Sequence, residues 1–291
     1  MQSKNVCIGA LVAGLGLAWL SYDPSPVGKQ HLGSGAMFDR IAPFYDSANK
    51  VMSLNLDQSW RRVLVDELGL ERRRESSGSD ALDVLDIASG TGDVAIMIAR
   101  DIRRLGLESL SSVVAMDPSP RMLSFAKTKI DAANLSSLVS TQVGNAEQFS
   151  DLSKSGKKFD AVTISFGIRN FADRSKALVA IRQVLKYDSR VAILEFATPR
   201  GGFLAPVVRL FLNVAVPLLG TLVAGRAHAA EYAHLRDSIL QFPHPDDFVT
   251  IMSEAGLSSC QSRNVFLGVV YLFSCKGFEV SESEQTLNSG Y

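Results

Sequence analysis

The chain has 291 residues, 30 Lys and Arg against 30 Asp and Glu, and an apolar fraction of 46%. A balanced charge lacks the basic excess that a phosphate backbone requires, so nucleic acid is not an expected partner. The apolar content supports a packed core and excludes a mostly disordered chain, and the length suits one large domain or two small ones.

The N-terminus places Lys4 before an apolar run, Val6–Leu20, and then a Pro-, Gly- and Ser-rich stretch, Ser21–Gly35. The run falls short of the ~18–20 residues that span a bilayer. One positive charge followed by a short apolar core fits a signal peptide, a signal anchor or an organelle-targeting leader. Residues 1–36 are therefore read as a leader or membrane anchor with a linker, 37–278 as the folded domain, and 279–291 as a tail.

Met37–Leu70 carries apolar residues at three- and four-residue spacing and predicts helix. Glu71–Asp80 is charged and Ser/Gly-rich, a loop. An alternation follows. Leu82–Ile87, Ser112–Met116, Leu138–Val143, Phe159–Phe166 and Arg190–Phe196 read as strands. Asp93–Leu105, Pro120–Ala133 and Asp173–Leu185 read as helices between them. Strands alternating with helices imply βαβ units, hence an α/β fold with a mostly parallel sheet covered on both faces.

Phe203–Ala224 is strongly apolar but contains Pro206, Arg209, Asn213 and Pro217. A charge and two prolines argue against a transmembrane span and for buried or membrane-facing amphipathic helices within an insertion over 203–240. Pro245–Ala255 reads as a helix closed by Gly256. Ser262–Phe266 and Val269–Cys275 flank Gly268 as two final strands, antiparallel and at one end of the sheet. The three cysteines, Cys7, Cys260 and Cys275, form no C-x-x-C pair, and no His/Cys cluster has metal-ligand spacing. The expectation is therefore no metal, no disulfide framework and a reducing compartment.

Chemistry concentrates at the strand ends, where ligands bind in open α/β sheets. Leu82–Asp93 reads LDVLDIASGTGD, a strand running into a Gly-rich turn and a helix. Gly90 and Gly92 allow close approach of a ligand to the backbone. No third glycine stands at G-x-G-x-x-G spacing and no lysine stands in P-loop position, which disfavours a dinucleotide or a nucleoside triphosphate. Asp117, just past the second strand, is placed to accept from two ribose hydroxyls. Asn145 in Gly144–Glu147 stands where an adenine edge would be read. Ser165–Asn170 forms a polar cluster after the fourth strand.

With these residues in view, the chain resembles the ubiquinone/menaquinone-biosynthesis C-methyltransferase family. The resemblance rests on MFDRIAPFYD at Met37–Asp46, LDIASGTGD at Leu85–Asp93, GNAE at Gly144–Glu147, ISFGIRN at Ile164–Asn170, LEF at Leu194–Phe196 and SILQFP at Ser238–Pro243. It also takes in EAG at Glu254–Gly256 and GVV at Gly268–Val270. It implies a class I, Rossmann-like S-adenosylmethionine-dependent methyltransferase with a mostly parallel seven-stranded sheet and an antiparallel last strand. It places S-adenosylmethionine contacts at Thr91, Asp117, Asn145, Ala146 and Ser165, beside the Gly90–Gly92 turn; Tyr45, in the YD pair near the start of the domain, is read as closing over the cofactor. The implied reaction is C-methylation of a polyprenylated quinol, 2-methoxy-6-polyprenyl-1,4-benzoquinol in the ubiquinone pathway first, with demethylmenaquinol or demethylphylloquinol as alternatives. Two departures stand out: Lys186–Arg190 replaces a proline-glycine turn, and Tyr232-Ala233-His234 replaces a Y-x-Y.

Methylation at a ring carbon needs a phenolate, whose charge spreads onto the ring. Arg169, with Asn170, is assigned to the developing charge. Asp46, His228 and His234 are candidate proton acceptors. Phe203–Ala224 offers a path for a polyprenyl tail, with Arg209 and Arg226 near headgroups. Expected partners are a lipophilic quinol, a membrane surface, and either a quinone-synthesis complex or a second copy of the chain. The leader and the benzoquinol-like motifs point to the matrix side of the mitochondrial inner membrane, with a plastid as the alternative. Two rival readings are a nicotinamide oxidoreductase, disfavoured by the missing glycine, and a non-catalytic scaffold, disfavoured by the intact turn and Asp117.

Overall fold

The computed structural model describes residues 35–72, 81–147, 156–198 and 229–277. The leader, the apolar run with Arg209, Arg226 and His228, and the tail lie outside the described residues. Two helices, α1 (Ala36–Met52) and α2 (Asp57–Glu67), precede the sheet. Then come β1 (Asp83–Ile87), α3 (Asp93–Arg104), β2 (Ser112–Asp117), α4 (Pro120–Ala132), β3 (Val139–Val143) and β4 (Phe159–Ser165). They are followed by α5 (Arg174–Gln183), β5 (Leu185–Phe196), α6 (Ala229–Leu240), α7 (Pro245–Glu254), β6 (Ser258–Phe266) and β7 (Val270–Lys276).

The seven strands lie in the order β3-β2-β1-β4-β5-β7-β6. β1 to β5 pair in parallel, and β7 runs antiparallel to both β5 and β6. The order reverses at β1, so the carboxyl ends of β1 and β4 open onto a crevice, the switch point where such sheets bind ligands. Strand periodicity of two sends neighbouring side chains to opposite faces. Val84 joins a core with Leu64 of α2 and Ile98 of α3, whereas Leu85 joins a second core with Ile181 of α5 and Phe248 of α7. Both faces are covered, which is why β1, β2 and β4 read as nearly continuous apolar runs.

Two details depart from the sequence reading, and the antiparallel last strand agrees with it. The stretch Lys186–Arg190, expected as a surface turn, lies inside β5, which begins at Leu185 and carries an irregularity opposite Phe159–Ala161. Lys186 there bonds Asp83 at 3.0 Å and Asp160 at 2.7 Å, two partners on other strands that no local pattern reveals. The antiparallel strand inserted next to β5 is β7, with β6 at the outer edge. Finally, Cys260 and Cys275 are joined by a disulfide, against the expectation of free thiols. The β6–β7 hairpin folds residues 15 apart to a Cα separation of 4.2 Å, a proximity that spacing alone does not show.

Candidate active site

The Gly-rich turn leaves β1 through backbone that only a few residue types tolerate. Ala88, Gly90 and Gly92 all have left-handed φ, 53°, 56° and 83°. Glycine relieves the strain at two of them, and Ala88 carries it at the third. The turn is anchored from below by Asp86, which is buried and accepts from Ser89 Oγ at 2.6 Å and Thr163 Oγ1 at 2.7 Å. Burial pushes the Asp86 carboxyl up to about 6.

Asp117 closes β2 beside that turn. Its Oδ2 accepts from the Gly90 N–H at 2.9 Å and its Oδ1 from the Ser119 N–H at 2.8 Å. One carboxylate therefore sets both loops, and each oxygen keeps a second lone pair. Burial raises its pKa to about 6 despite these two bonds. Gly144 sits against Met116: a Cβ there would come within 2.7 Å of the sulfur. The chain beyond β3 thus runs close along the crevice to Asn145 and the buried Ala146.

A cavity of about 790 Å³, its open mouth included, lies above these strand ends. Gly90 and Asp117 form one wall with Gly144, Asn145 and Ala146. Helix α1 roofs it with Phe38 and Tyr45, seven residues apart and so on one helical face. The Tyr45 hydroxyl is raised in pKa by burial, against the lowering effects of Arg61 and a hydrogen bond with Asn49.

The far wall comes from the end of β4. Phe166 takes a left-handed φ of 55°, and Gly167 then packs on Ala88, where an added Cβ would lie 2.5 Å from the Ala88 Cβ. The β1 and β4 turns are thereby interlocked. Ser165, Asn170 and, from α6, His234 face the cavity. His234 Nε2 lies 3.2 Å from Asn170 Oδ1, while Ser165 Oγ and Asn170 Nδ2 are buried without a protein partner. Burial and, after it, the charge of Arg169 lower the His234 pKa, so the imidazole is neutral near pH 7.

A family model, the ubiE/COQ5 methyltransferase family, matches residues 27–276, nearly the whole chain. This chain belongs to the ubiE/COQ5 methyltransferase family. It is 34% identical over 238 residues to the ubiquinone/menaquinone biosynthesis C-methyltransferase UbiE of Geotalea daltonii, covering 82% of this chain and 93% of that one. It is 38% identical to the demethylmenaquinone methyltransferase of Thermus thermophilus, covering 76% and 91%. Among solved structures, it resembles an O-methyltransferase family protein from Burkholderia thailandensis, with TM-score 0.59 and 17% identity over 94% of this chain and 70% of that one. A S-adenosyl-L-methionine-dependent methyltransferase fold from Methanococcus maripaludis gives TM-score 0.52 and 16% identity over 84% and 96%. The fold is thus that of S-adenosylmethionine-dependent methyltransferases, and the chain is a methyltransferase.

For this ubiE/COQ5 member, the structure brings eight of the residues singled out in the sequence to the cavity: Tyr45, Gly90, Asp117, Asn145, Ala146, Ser165, Asn170 and His234. Four do not line it. The Arg169 guanidinium turns inward, where Nη1 donates to Glu195 Oε1 at 2.7 Å and to the Phe166 carbonyl at 2.5 Å. A buried ion pair holds it, so it does not meet an acceptor ring. Asp46, expected as a base, is bonded to Thr91 Oγ1 at 2.7 Å and Lys129 Nζ at 2.9 Å, and Thr91 turns its hydroxyl to that cluster too. Gly92 instead lets the turn approach α4, a Cβ there reaching 3.0 Å from Ala126 Cβ. Sequence reasoning missed Phe38 and Glu195. The i, i+7 spacing of Phe38 with Tyr45 and a carboxylate at the end of an apolar strand were the available signals.

Proposed function

We propose that the chain transfers a methyl group from S-adenosylmethionine to a ring carbon of a prenylated quinol. The observation that carries this reading is the pairing, in one cavity, of the Asp117 carboxylate with the unpaired Ser165 Oγ and Asn170 Nδ2. Buried polar atoms are otherwise nearly always satisfied, so an orphan donor at a cavity wall suits a ligand. The fit to the cofactor is direct: Asp117 offers lone pairs to a ribose diol, and Gly90 leaves its backbone open to close approach. When bound, S-adenosylmethionine supplies an electrophilic methyl group on sulfonium.

The chain's own residues do the rest. With Asn170 Oδ1 accepting from His234 Nε2–H, the other imidazole nitrogen is left as the proton acceptor for a quinol hydroxyl. Asn170 Nδ2 and Ser165 Oγ then hold quinol oxygens. Holding ring carbon and methyl group in line supplies roughly 7–11 kcal/mol of the barrier reduction. Phe38, Phe166 and Phe171 give the ring apolar walls and exclude water.

The acceptor in this reading is 2-methoxy-6-polyprenyl-1,4-benzoquinol. The name of the Geotalea relative covers both quinone branches, and that of the Thermus relative supports demethylmenaquinol as a second reading. Among the described residues no helix is long and apolar enough to cross a membrane. We place the enzyme at the matrix face of the mitochondrial inner membrane, with a plastid as the alternative; a fluorescent fusion of residues 1–36 tests this.

Purified protein incubated with methyl-labelled S-adenosylmethionine and short-chain benzoquinol or naphthoquinol acceptors gives the decisive measurement. Label on a ring carbon is expected, with the preferred ring naming the branch. His234→Asn is expected to lower kcat about 100-fold, the low end for a lost general base, and to remove the acid limb of the kcat profile measured at saturating S-adenosylmethionine. That limb falls as pH drops through the depressed imidazole pKa, because only the neutral ring accepts a proton. Label on oxygen, or full turnover by the variant, sinks the reading.

A further inference from the structure

Behind the Gly-rich turn, away from the cavity, Lys129 of α4 reaches three oxygens at once. Its Nζ bonds Asp46 Oδ2 of α1 at 2.9 Å, Thr91 Oγ1 of the turn at 2.9 Å and Asp93 Oδ1 at the start of α3 at 2.6 Å. Asp46 Oδ1 closes the ring by accepting from Thr91 Oγ1 at 2.7 Å. On the far side Arg61 of α2 bonds Asp93 Oδ2 at 2.8 Å and Asp57 Oδ2 at 2.7 Å. Burial opposes the charge on Asp93, but Arg61 and Lys129 outweigh it and its pKa is lowered.

We infer that Lys129 is a positioning residue for the cofactor site: it fastens α1, and with it Tyr45, over the Gly-rich turn. Asp46 immediately follows Tyr45, so the ion pair fixes the residue next to the cavity roof. Tyr45 itself packs on Gly90, where a Cβ would lie 3.8 Å from its ring. The other end of α1 has its own attachment, from Ser119 Oγ to Asp39 Oδ1 at 2.5 Å and from the Arg121 N–H to the same oxygen at 3.2 Å. Among the described residues, the Tyr45 half of the helix is tied to the turn that carries Gly90 by the Asp46–Thr91 hydrogen bond and by Lys129, which grips both of those partners and Asp93 as well. A methyl donor seated between Gly90 and Asp117 would lie under that roof, so its retention depends on a cation that never touches it. The inference rests on the proposed cofactor reading.

Lys129 and Asp46 keep 31% and 38% of their side chains exposed, so removing the pair should spare the fold. The experiment uses the full chain and the variants Lys129→Met, Lys129→Arg, Asp46→Asn and the double variant Lys129→Met/Asp46→Asn. Two readouts are taken: hydrogen exchange of residues 36–52 without cofactor, and the affinity for S-adenosylmethionine by titration. Lys129→Met is expected to speed exchange in the Tyr45 half of α1 and to weaken cofactor binding about threefold to tenfold. Asp46→Asn should do the same, the double variant should be no worse than either, and Lys129→Arg should recover most of the affinity. Unchanged exchange in Lys129→Met overturns the inference whatever the ligand. If wild-type protein binds the cofactor and the variant binds it equally, the inference also fails. If wild-type protein does not bind it at all, the cofactor reading is what has failed, and the exchange arm still decides whether Lys129 fastens α1.

Discussion

Arg169 and Glu195 form an ion pair at 2.7 Å, with side chains 7% and 0% exposed. Glu195 Oε1 also accepts from the Phe196 N–H at 2.7 Å and its Oε2 from the Arg169 N–H at 3.3 Å, so one carboxylate holds both the side chain and the backbone of the β4 turn. Arg169 thereby shapes the wall that presents Ser165 and Asn170. Truncating one partner of a buried pair leaves an uncompensated charge and costs roughly 3–5 kcal/mol. Arg169→Ala is therefore expected to lower the denaturation midpoint strongly. Arg169→Met with Glu195→Leu should be more stable than Arg169→Ala, because no buried charge remains. A loss of turnover in Arg169→Ala with unchanged stability would return the arginine to direct catalysis.

Asp117 gives a pH signature. Burial raises its carboxyl to about 6, above the unfolded value of 3.8. The folded state therefore binds this proton more tightly than the unfolded state. The group's contribution opposes folding as pH rises from the unfolded value, and that opposition is complete above about 6. Cofactor affinity runs the other way, since ribose hydroxyls donate to the ionised form. Affinity for S-adenosylmethionine is expected to fall as pH drops through about 6, and Asp117→Asn should flatten most of that dependence. Asp86 titrates near the same value under the turn, so a shallow residual slope belongs to it. A pH-independent affinity in the wild type would remove Asp117 from the ribose site.

The interlock of Gly167 with Ala88 is testable by rescue. Gly167→Ala drives a Cβ to 2.5 Å from the Ala88 Cβ, and overpacking of this kind costs about 1–3 kcal/mol. Ala88→Gly removes both that methyl and the strain of a left-handed alanine. The double variant is expected to be clearly more stable than Gly167→Ala in a thermal melt. Equal melting temperatures would show that the two turns move independently.

The Cys260–Cys275 disulfide leaves Cys7 as the one remaining cysteine. Thiol titration of the denatured, unreduced chain should return one thiol. Reduction should destabilise the β6–β7 hairpin by at most about 3 kcal/mol, the loop-entropy value for a loop of this length. Three reactive thiols would overturn the bond.

The sequence by itself determined the alternation of strands and helices, the Gly-rich turn, and the carboxylate at the end of β2, because these depend on periodicity and on residues local to one turn. The same local logic places Asp117, Asn145 and Ser165 at the carboxyl ends of their strands, on one edge of the sheet. Only the tertiary structure decided which way the long polar side chains point. Arg169, Asp46 and Thr91 each stand in a motif beside the cavity, yet their partners lie 26, 83 and 38 residues away, on Glu195 and Lys129. A buried charge goes to the nearest opposite charge in space, and that distance is set by how β5 lies beside β4 and how α1 crosses α4. The pairing of Cys260 with Cys275 was hidden for the same reason, being a property of strand register across a hairpin.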